Sequence, residues 1–200
     1  MTQLEDNYDY YASQYPWHGN EIMFGLLFEY LNKGQLLLDL GIGTGLSSIF
    51  FNKIGLKIYG VDNSEDMLKL CKKKGFTEEL KYVDLDKDDI PFENEFFDFV
   101  ISCGVFHFIK DLELIFKKAN IVLKKGGIFC FTVKDTDNSD LDITECLHKE
   151  AGVLVYSHSG KYIEKLREDF KFEFLKKQKF LGVNNPLIDE GYFTAYVLKK

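Results

Sequence analysis

The sequence predicts an α/β fold: a doubly wound, mostly parallel seven-stranded sheet that ends in an antiparallel C-terminal strand pair. Three observations lead there. From about residue 35 onward, short apolar runs alternate with segments of helical period, the pattern of successive βαβ units. Residues 128–133 are apolar on both faces, as a parallel strand covered by helices on either side must be. The last two runs have no helix between them, which makes that pair antiparallel.

Each element has a local reason. Ile22, Met23, Leu26, Leu27, Tyr30 and Leu31 form one apolar helix face before the sheet, preceded by Tyr8, Tyr10, Tyr11, Tyr15 and Trp17 in a segment too polar for core. Residues 35–40 are the first strand, ending at Asp39 and Gly41. Residues 46–54 read as a helix closed by Gly55, and 57–61 as the second strand. Ser64 can cap the next helix, with Glu65 and Asp66 at its positive end. Lys72-Lys73-Lys74 and then Gly75 close that helix. Residues 80–83 and 96–102 continue as strands. Leu112, Ile115, Phe116, Ala119, Val122 and Leu123 recur at helical spacing until Lys124-Lys125-Gly126-Gly127 stop the helix before strand 128–133. A helix over about 161–170 precedes the closing strands, 172–180 and 192–198, which are joined by a loop holding Asn184, Asn185 and Pro186.

Composition narrows the function. A chain of 200 residues, 46% of them hydrophobic, can bury a sizeable core as one domain. A net charge of -7 repels phosphate backbones, so no nucleic-acid partner is expected. Cys71, Cys103, Cys130 and Cys146 show neither a CxxC pair nor metal-ligand spacing. They read as reduced thiols of a cytoplasmic protein without a metal. No run approaches the ~18 apolar residues of a membrane span, and the polar, tyrosine-rich start is not a signal peptide.

Chemistry concentrates where the first strand ends. Asp39-Leu40-Gly41-Ile42-Gly43-Thr44-Gly45 places three glycines at alternate positions between a strand and a helix. Glycine adopts backbone angles closed to other residues and lets a ligand approach the main chain. The carboxyl edge of such a sheet is where ligands sit. Asp62 ends the second strand, about 20 residues past the first glycine, the distance at which an acid can take a ribose diol. Taken singly, the glycines fit a plain strand-to-helix turn and Asp62 fits a helix cap. Their joint occurrence favours a nucleoside-like ligand.

These residues resemble the first two motifs of the class I S-adenosylmethionine-dependent methyltransferases. Asp86-Lys87-Asp88-Asp89-Ile90-Pro91-Phe92 looks like that family's adenine-reading segment, residues 97–102 like its fourth strand, and Leu123-Lys124-Lys125-Gly126-Gly127 like the turn before its fifth. The resemblance covers roughly 36–133, in the family's order. It implies a Rossmann-like methyltransferase fold with a lid and helix (1–34), a cofactor-binding core (35–135) and a substrate-side part (136–200). It also implies S-adenosylmethionine as cofactor and S-adenosylhomocysteine as its product. On this resemblance, Gly41, Gly43 and Gly45 admit the amino-acid part of the cofactor, Asp39 holds their turn, and Asp62 binds both ribose hydroxyls. Asp86 accepts from the adenine amino group, with Asp84 the alternative in a run crowded with acids. Asn63, Met67 and Leu85 wall the adenosine pocket, and the backbone at Cys103 lies against the reactive methyl. Tyr8 and Tyr15 belong to a lid, or alternatively to exposed aromatics of a tail.

The acceptor is less legible. His107, just beyond the fourth strand, is the candidate base, because imidazole titrates near neutrality; a histidine satisfied by a neighbouring carbonyl is the alternative. His158 is a second substrate-side candidate, in Tyr156-Ser157-His158-Ser159. A nucleotide-binding dehydrogenase would carry G-x-G-x-x-G, whereas Leu46 stands at the last of those positions. A nucleic-acid base methyltransferase would carry an Asn/Asp-Pro-Pro-aromatic motif where Ser102-Cys103-Gly104-Val105 stands. The expected reaction is methyl transfer to a small-molecule acceptor. Two alternatives remain, a non-catalytic S-adenosylmethionine-binding partner subunit and a methyltransferase acting on a protein side chain.

Overall fold

A computed structural model describes residues 8–14, 17–136, 141–148, 153–182 and 191–200. Two helices, α1 (Tyr8–Gln14) and α2 (Gly19–Leu27), precede the sheet. Strand β1 (Leu36–Leu40) leads through the glycine turn to α3 (Ser48–Lys53), β2 (Lys57–Asp62), α4 (Glu65–Lys73) and β3 (Thr77–Tyr82). The chain then returns to the sheet's middle with β4 (Phe97–Ser102), α5 (Glu113–Val122) and β5 (Leu123–Lys134). A hairpin of β6 (Ile143–His148) and β7 (Val153–His158) stands apart, followed by α6 (Gly160–Asp169), β8 (Glu173–Leu181) and β9 (Tyr192–Lys199).

The strand order is β3-β2-β1-β4-β5-β9-β8. The first five strands are parallel, and β9 runs antiparallel to both β5 and β8. The expected seven-stranded sheet with an antiparallel end is therefore present. The order reverses between β1 and β4, the point at which such sheets take ligands beyond the carboxyl ends of their strands.

Alternation along the strands builds a core on each face. Leu38, Val100, Phe129 and Phe131 face α5 and α6 with Phe116 and Ile163. Leu37, Phe99, Ile101 and Cys130 face α2 and α3 with Met23, Leu27 and Phe51. A smaller cluster of Phe180, Phe193 and Ala195 takes in Trp17, Ile22 and Leu26.

Several local expectations are corrected. The helix after the glycine turn starts at Ser48, not Leu46. Lys124-Lys125-Gly126-Gly127 is no helix stop: α5 ends at Val122, and β5 begins at once and runs through both glycines. The register shift against β4 between Phe97 and Phe99 absorbs that irregular start. The first apolar helix tightens into a 3-10 turn at Phe28–Tyr30. Trp17 leaves the polar segment and packs edge-on against Phe180 and Phe193, with centroids 5.6 and 4.9 Å away. Hairpin β6–β7 was not expected at all. Caps behave as chemistry predicts: Ser64 Oγ accepts from Met67 N–H at 3.3 Å and Ser159 Oγ from Tyr162 N–H at 3.0 Å.

Candidate active site

The register Leu40↔Val61 brings the ends of β1 and β2 side by side. Gly41, Gly43 and Gly45 all have positive φ, at 76, 54 and 85°, which L side chains adopt only with strain. Packing separates the three. A Cβ on Gly41 would lie 2.5 Å from Val105, and one on Gly45 2.4 Å from Phe76, whereas one on Gly43 would meet nothing within 4 Å. Two glycines thus close the turn against the protein, and the third leaves the main chain bare toward open space. That is the fit a close-approaching ligand needs.

Asp39 and Asp62 brace this turn. Asp39 is 1% exposed and accepts a 2.5 Å bond from Ser48 Oγ. Burial, opposed by the Ser48 bond and reinforced by nearby Asp62, pushes its pKa up to about 7. Asp62 Oδ2 accepts from Gly43 N–H at 2.7 Å and Oδ1 from Ser64 N–H at 2.9 Å. Each carboxylate oxygen has a second lone pair, so the acid retains capacity for two hydroxyls. Met67 is half-buried beside them on α4, and Asn63 is exposed.

The N-terminal helix lies over the turn. Asp9 Oδ1 accepts from Thr44 Oγ1 at 2.6 Å, and Oδ2 pairs with Lys74 Nζ at 2.5 Å. Burial, then Asp9 and Asp62, push the Tyr8 phenol pKa up, which sets Tyr8 beside the acid at the end of β2. Tyr15 lies outside the described residues. Sequence reasoning missed Asp9 and Thr44, because nothing in their local pattern marks a contact 35 residues apart.

Beyond β4 the backbone is fixed by hydroxyls. Ser102 Oγ donates to Leu40 O at 2.8 Å, and Gly104 N–H donates to Thr132 Oγ1 at 2.9 Å. Gly104, at φ 70°, sits beneath the Trp17 ring, 3.6 Å from where a Cβ would lie. Burial pushes the Cys103 thiol up to about 12, with Ser47 and Trp17 among its hydrogen-bonding neighbours, so the thiol stays protonated. His107, in the 3-10 turn Phe106–Phe108, packs on Phe108 at 4.0 Å and edge-on to Phe193 at 5.5 Å. Trp17, Phe193 and His107 thus stand around the residues that follow β4.

His158 lies inside the protein, behind the loop after β4. It is 1% exposed, its Nε2–H donates to Lys110 O at 3.1 Å, and it stacks on Tyr162 at 5.7 Å. Tyr162 in turn donates to Asp111 Oδ1 and accepts from Leu112 N–H. The ring ties β7 to the loop after β4.

The run 84–89 is ordered by its own acids. Asp84 accepts from Asp86 N–H at 3.1 Å and from Lys87 Nζ at 2.6 Å, while Asp88 accepts from Asp84 N–H at 2.9 Å. Leu85 is buried and Asp86 exposed. No described residue donates to the Asp86 carboxylate. It borders a cavity of about 570 Å³ reached by Phe108, Lys117 and Tyr156.

A parallel sheet whose order turns at β1 and β4, with a bare glycine turn and an acid at the next strand end, is the arrangement that doubly wound α/β domains use for nucleotide ligands. Residues 38–131 match the family described as a methyltransferase domain. Beyond those residues the likeness is one of architecture: the chain has the Rossmann-like fold of the class I methyltransferases. An uncharacterised protein of Methanocaldococcus jannaschii is 34% identical over 137 residues, 66% of this chain. A demethylmenaquinone methyltransferase of Staphylococcus aureus is 30% identical over 155 residues, 75% of this chain. Each match spans 62% of the relative's length. The crystal structure of the 1,6-didemethyltoxoflavin-N1-methyltransferase of Burkholderia thailandensis, with 1,6-didemethyltoxoflavin and S-adenosylhomocysteine bound, superposes with a TM-score of 0.71. That likeness covers 98% of this chain and 82% of the other at 18% identity, and is one of fold. Among the described residues, no helix is long and apolar enough to cross a membrane.

Proposed function

We propose that this chain is a methyltransferase that moves a methyl group from S-adenosylmethionine to a small-molecule acceptor with a flat, largely apolar ring. The observation that carries the reading is the cover over the site: α1 is latched to Thr44 and Lys74 through Asp9, and Trp17 lies over Gly104. Such a covered centre suits an acceptor that can be enclosed, and Trp17, Phe193 and His107 offer ring edges and faces to a planar one. The demethylmenaquinone and 1,6-didemethyltoxoflavin named for two similar proteins share a planar ring system.

In this reading Gly43 admits the amino-acid part of the cofactor, with Asp39 and Asp62 holding the turn. Asp62 receives the ribose hydroxyls and Asp86 the adenine amino group, with Asn63, Met67 and Leu85 around them. When bound, S-adenosylmethionine supplies an electrophilic methyl carbon on a sulfonium. The chain's part is to orient the acceptor over the Cys103 backbone and to exclude water with Tyr8 and Trp17. His107 takes the acceptor's proton where one must leave.

A second reading, a protein side chain as acceptor, draws on the exposed cross-strand pair Leu147 and Leu154 of the hairpin. Thermal-shift titration with S-adenosylmethionine, S-adenosylhomocysteine and NAD tests the cofactor, and a response to NAD alone would sink it. A labelled-methyl screen against cell extract, split by molecular size, separates the two acceptor classes.

A further inference from the structure

Lys118 is a charged side chain in the wrong place for a surface helix. It projects from α5, is 4% exposed, and its Nζ donates to Leu85 O at 2.7 Å. A lysine head that deep must find a carbonyl or an acid, while its aliphatic stem packs with the core. Lys118 finds the carbonyl in the middle of the acidic run. Asp84, Asp86, Asp88 and Asp89 all act on it, and burial moves its pKa down against their pull. The carbonyl it holds belongs to the one residue of 84–89 whose side chain is also buried. Leu85 is therefore pinned twice, by its side chain and by its oxygen, and the residues on either side turn about it. On one side, the Asp84 carboxylate is spent on Asp86 N–H and Lys87 Nζ. On the other, the Asp86 carboxylate has no donor among the described residues.

We propose that Lys118 is a positioning residue for purine recognition: by holding the Leu85 carbonyl beneath the loop, it offers the Asp86 carboxylate to the amino group of the bound nucleoside and withholds that of Asp84. The inference rests on the reading that the site binds S-adenosylmethionine. It goes beyond that reading by assigning a residue that touches no ligand and by deciding between two acids. The buried ammonium also offsets the mutual repulsion of four carboxylates, which lets the loop stay compact while the Asp86 carboxylate has no donor among the described residues.

The test is purine selectivity in binding, without turnover. Dissociation constants for S-adenosylhomocysteine and its inosine counterpart, in which a carbonyl replaces the amino group, are measured by calorimetry. The proteins are wild type, Lys118→Met, Asp86→Asn and Asp84→Asn. Wild type should prefer the amino purine by about tenfold or more, as a site built on a hydrogen bond does. Lys118→Met and Asp86→Asn should bring that ratio close to unity, and Asp84→Asn should leave a preference. A Lys118→Met protein that binds both ligands more weakly but in the wild-type ratio overturns the inference, because a purely structural role lowers both alike. Should Lys118→Met not fold, wild type labelled with ¹⁵N-lysine replaces it: S-adenosylhomocysteine should shift the Lys118 ammonium resonance more than the inosine ligand does, and equal shifts overturn the inference. Absence of S-adenosylhomocysteine binding by wild type overturns the cofactor reading, and this inference with it.

Discussion

Gly43 N–H donates to Asp62 Oδ2 at 2.7 Å, joining the barest point of the glycine turn to the acid at the end of β2. The acid therefore has two tasks, shaping the turn and receiving a ligand, and its removal should register in both. Asp62→Ala leaves Gly43 N–H and Ser64 N–H without their acceptor and should lower the melting temperature of the free protein. It should also weaken S-adenosylhomocysteine binding by about 1–3 kcal/mol, the range for bonds to a charged group. Calorimetry beside a thermal melt reads the two effects separately. An unchanged dissociation constant would remove Asp62 from the site.

The glycines make a sharper comparison. Gly41→Ala combines positive φ with a 2.5 Å clash against Val105, and should cost stability beyond the ~1 kcal/mol of a left-handed alanine. Gly43→Ala carries only that backbone cost, because its Cβ would enter open space. If that space takes the cofactor, Gly43→Ala loses binding out of proportion to its stability, whereas Gly41→Ala loses stability first. Denaturant melts paired with ligand titration decide it, and equal, proportionate losses in both variants would contradict the assignment.

These contrasts mark what sequence can and cannot reveal. The sheet was legible because its central strands β1, β4 and β5 are apolar on both faces and α4 and α6 start at serine caps, signals that lie within a few residues of each other. The hairpin was not, because Leu147, Val153 and Leu154 point outward, so their alternation matches no buried face. Trp17 was misread because its partners, Phe180 and Phe193, are supplied from the far end of the chain. His158 sits in a suggestive stretch, yet its place is set by Lys110 O, 48 residues away. The turn motif identified three glycines alike, and only packing separates Gly43 from the two that meet Val105 and Phe76.

Asp39 predicts a pH dependence. Its folded pKa, about 7, lies above the ordinary 3.8. The native state thus keeps a proton that the unfolded chain releases, and this group's contribution falls as pH rises from about 4 through 7. The full swing is at most about 4 kcal/mol, at 1.36 kcal/mol per unit. Asp39→Asn keeps an acceptor for Ser48 and cannot ionise, so it should be more stable than wild type at pH 8 and not at pH 4. A cationic ligand near Asp39 favours its charged form, so S-adenosylmethionine binding near pH 6.5 should release protons. Calorimetry in buffers of different ionisation enthalpy measures that release, and its absence would place no cation near Asp39.

The latch predicts a kinetic effect with little thermal cost. Asp9 and Lys74 are partly exposed, and such a pair contributes about 0–1 kcal/mol to folding. Asp9→Asn should leave the melting temperature nearly unchanged while speeding cofactor release, because α1 loses its hold on Lys74 and weakens its bond to Thr44. Trp17 is the chain's sole tryptophan, so its fluorescence follows the cover directly in stopped flow. An off-rate equal to wild type would separate the latch from the cofactor.

His107 is the candidate for moving a proton in the proposed reaction. It lies beyond β4 with its ring held between Phe108 and the edge of Phe193, a setting that fixes its direction. On an acceptor that must lose a proton, His107→Ala should lower kcat by about 10²-fold or more, the usual contribution of a positioned base. The acidic limb of the pH–rate profile should go with it. Cofactor binding should be untouched, because Gly43, Asp62 and Asp86 belong to the turn, strand end and loop of β1, β2 and β3, not to the segment after β4. His107→Phe adds the control: it keeps a ring against Phe193, so any activity it retains over the alanine variant measures packing and not proton transfer. On an acceptor whose nucleophile is already deprotonated, both variants should turn over near the wild-type rate, and full activity of His107→Ala on a protonated acceptor across the whole pH range would eliminate the residue as a base.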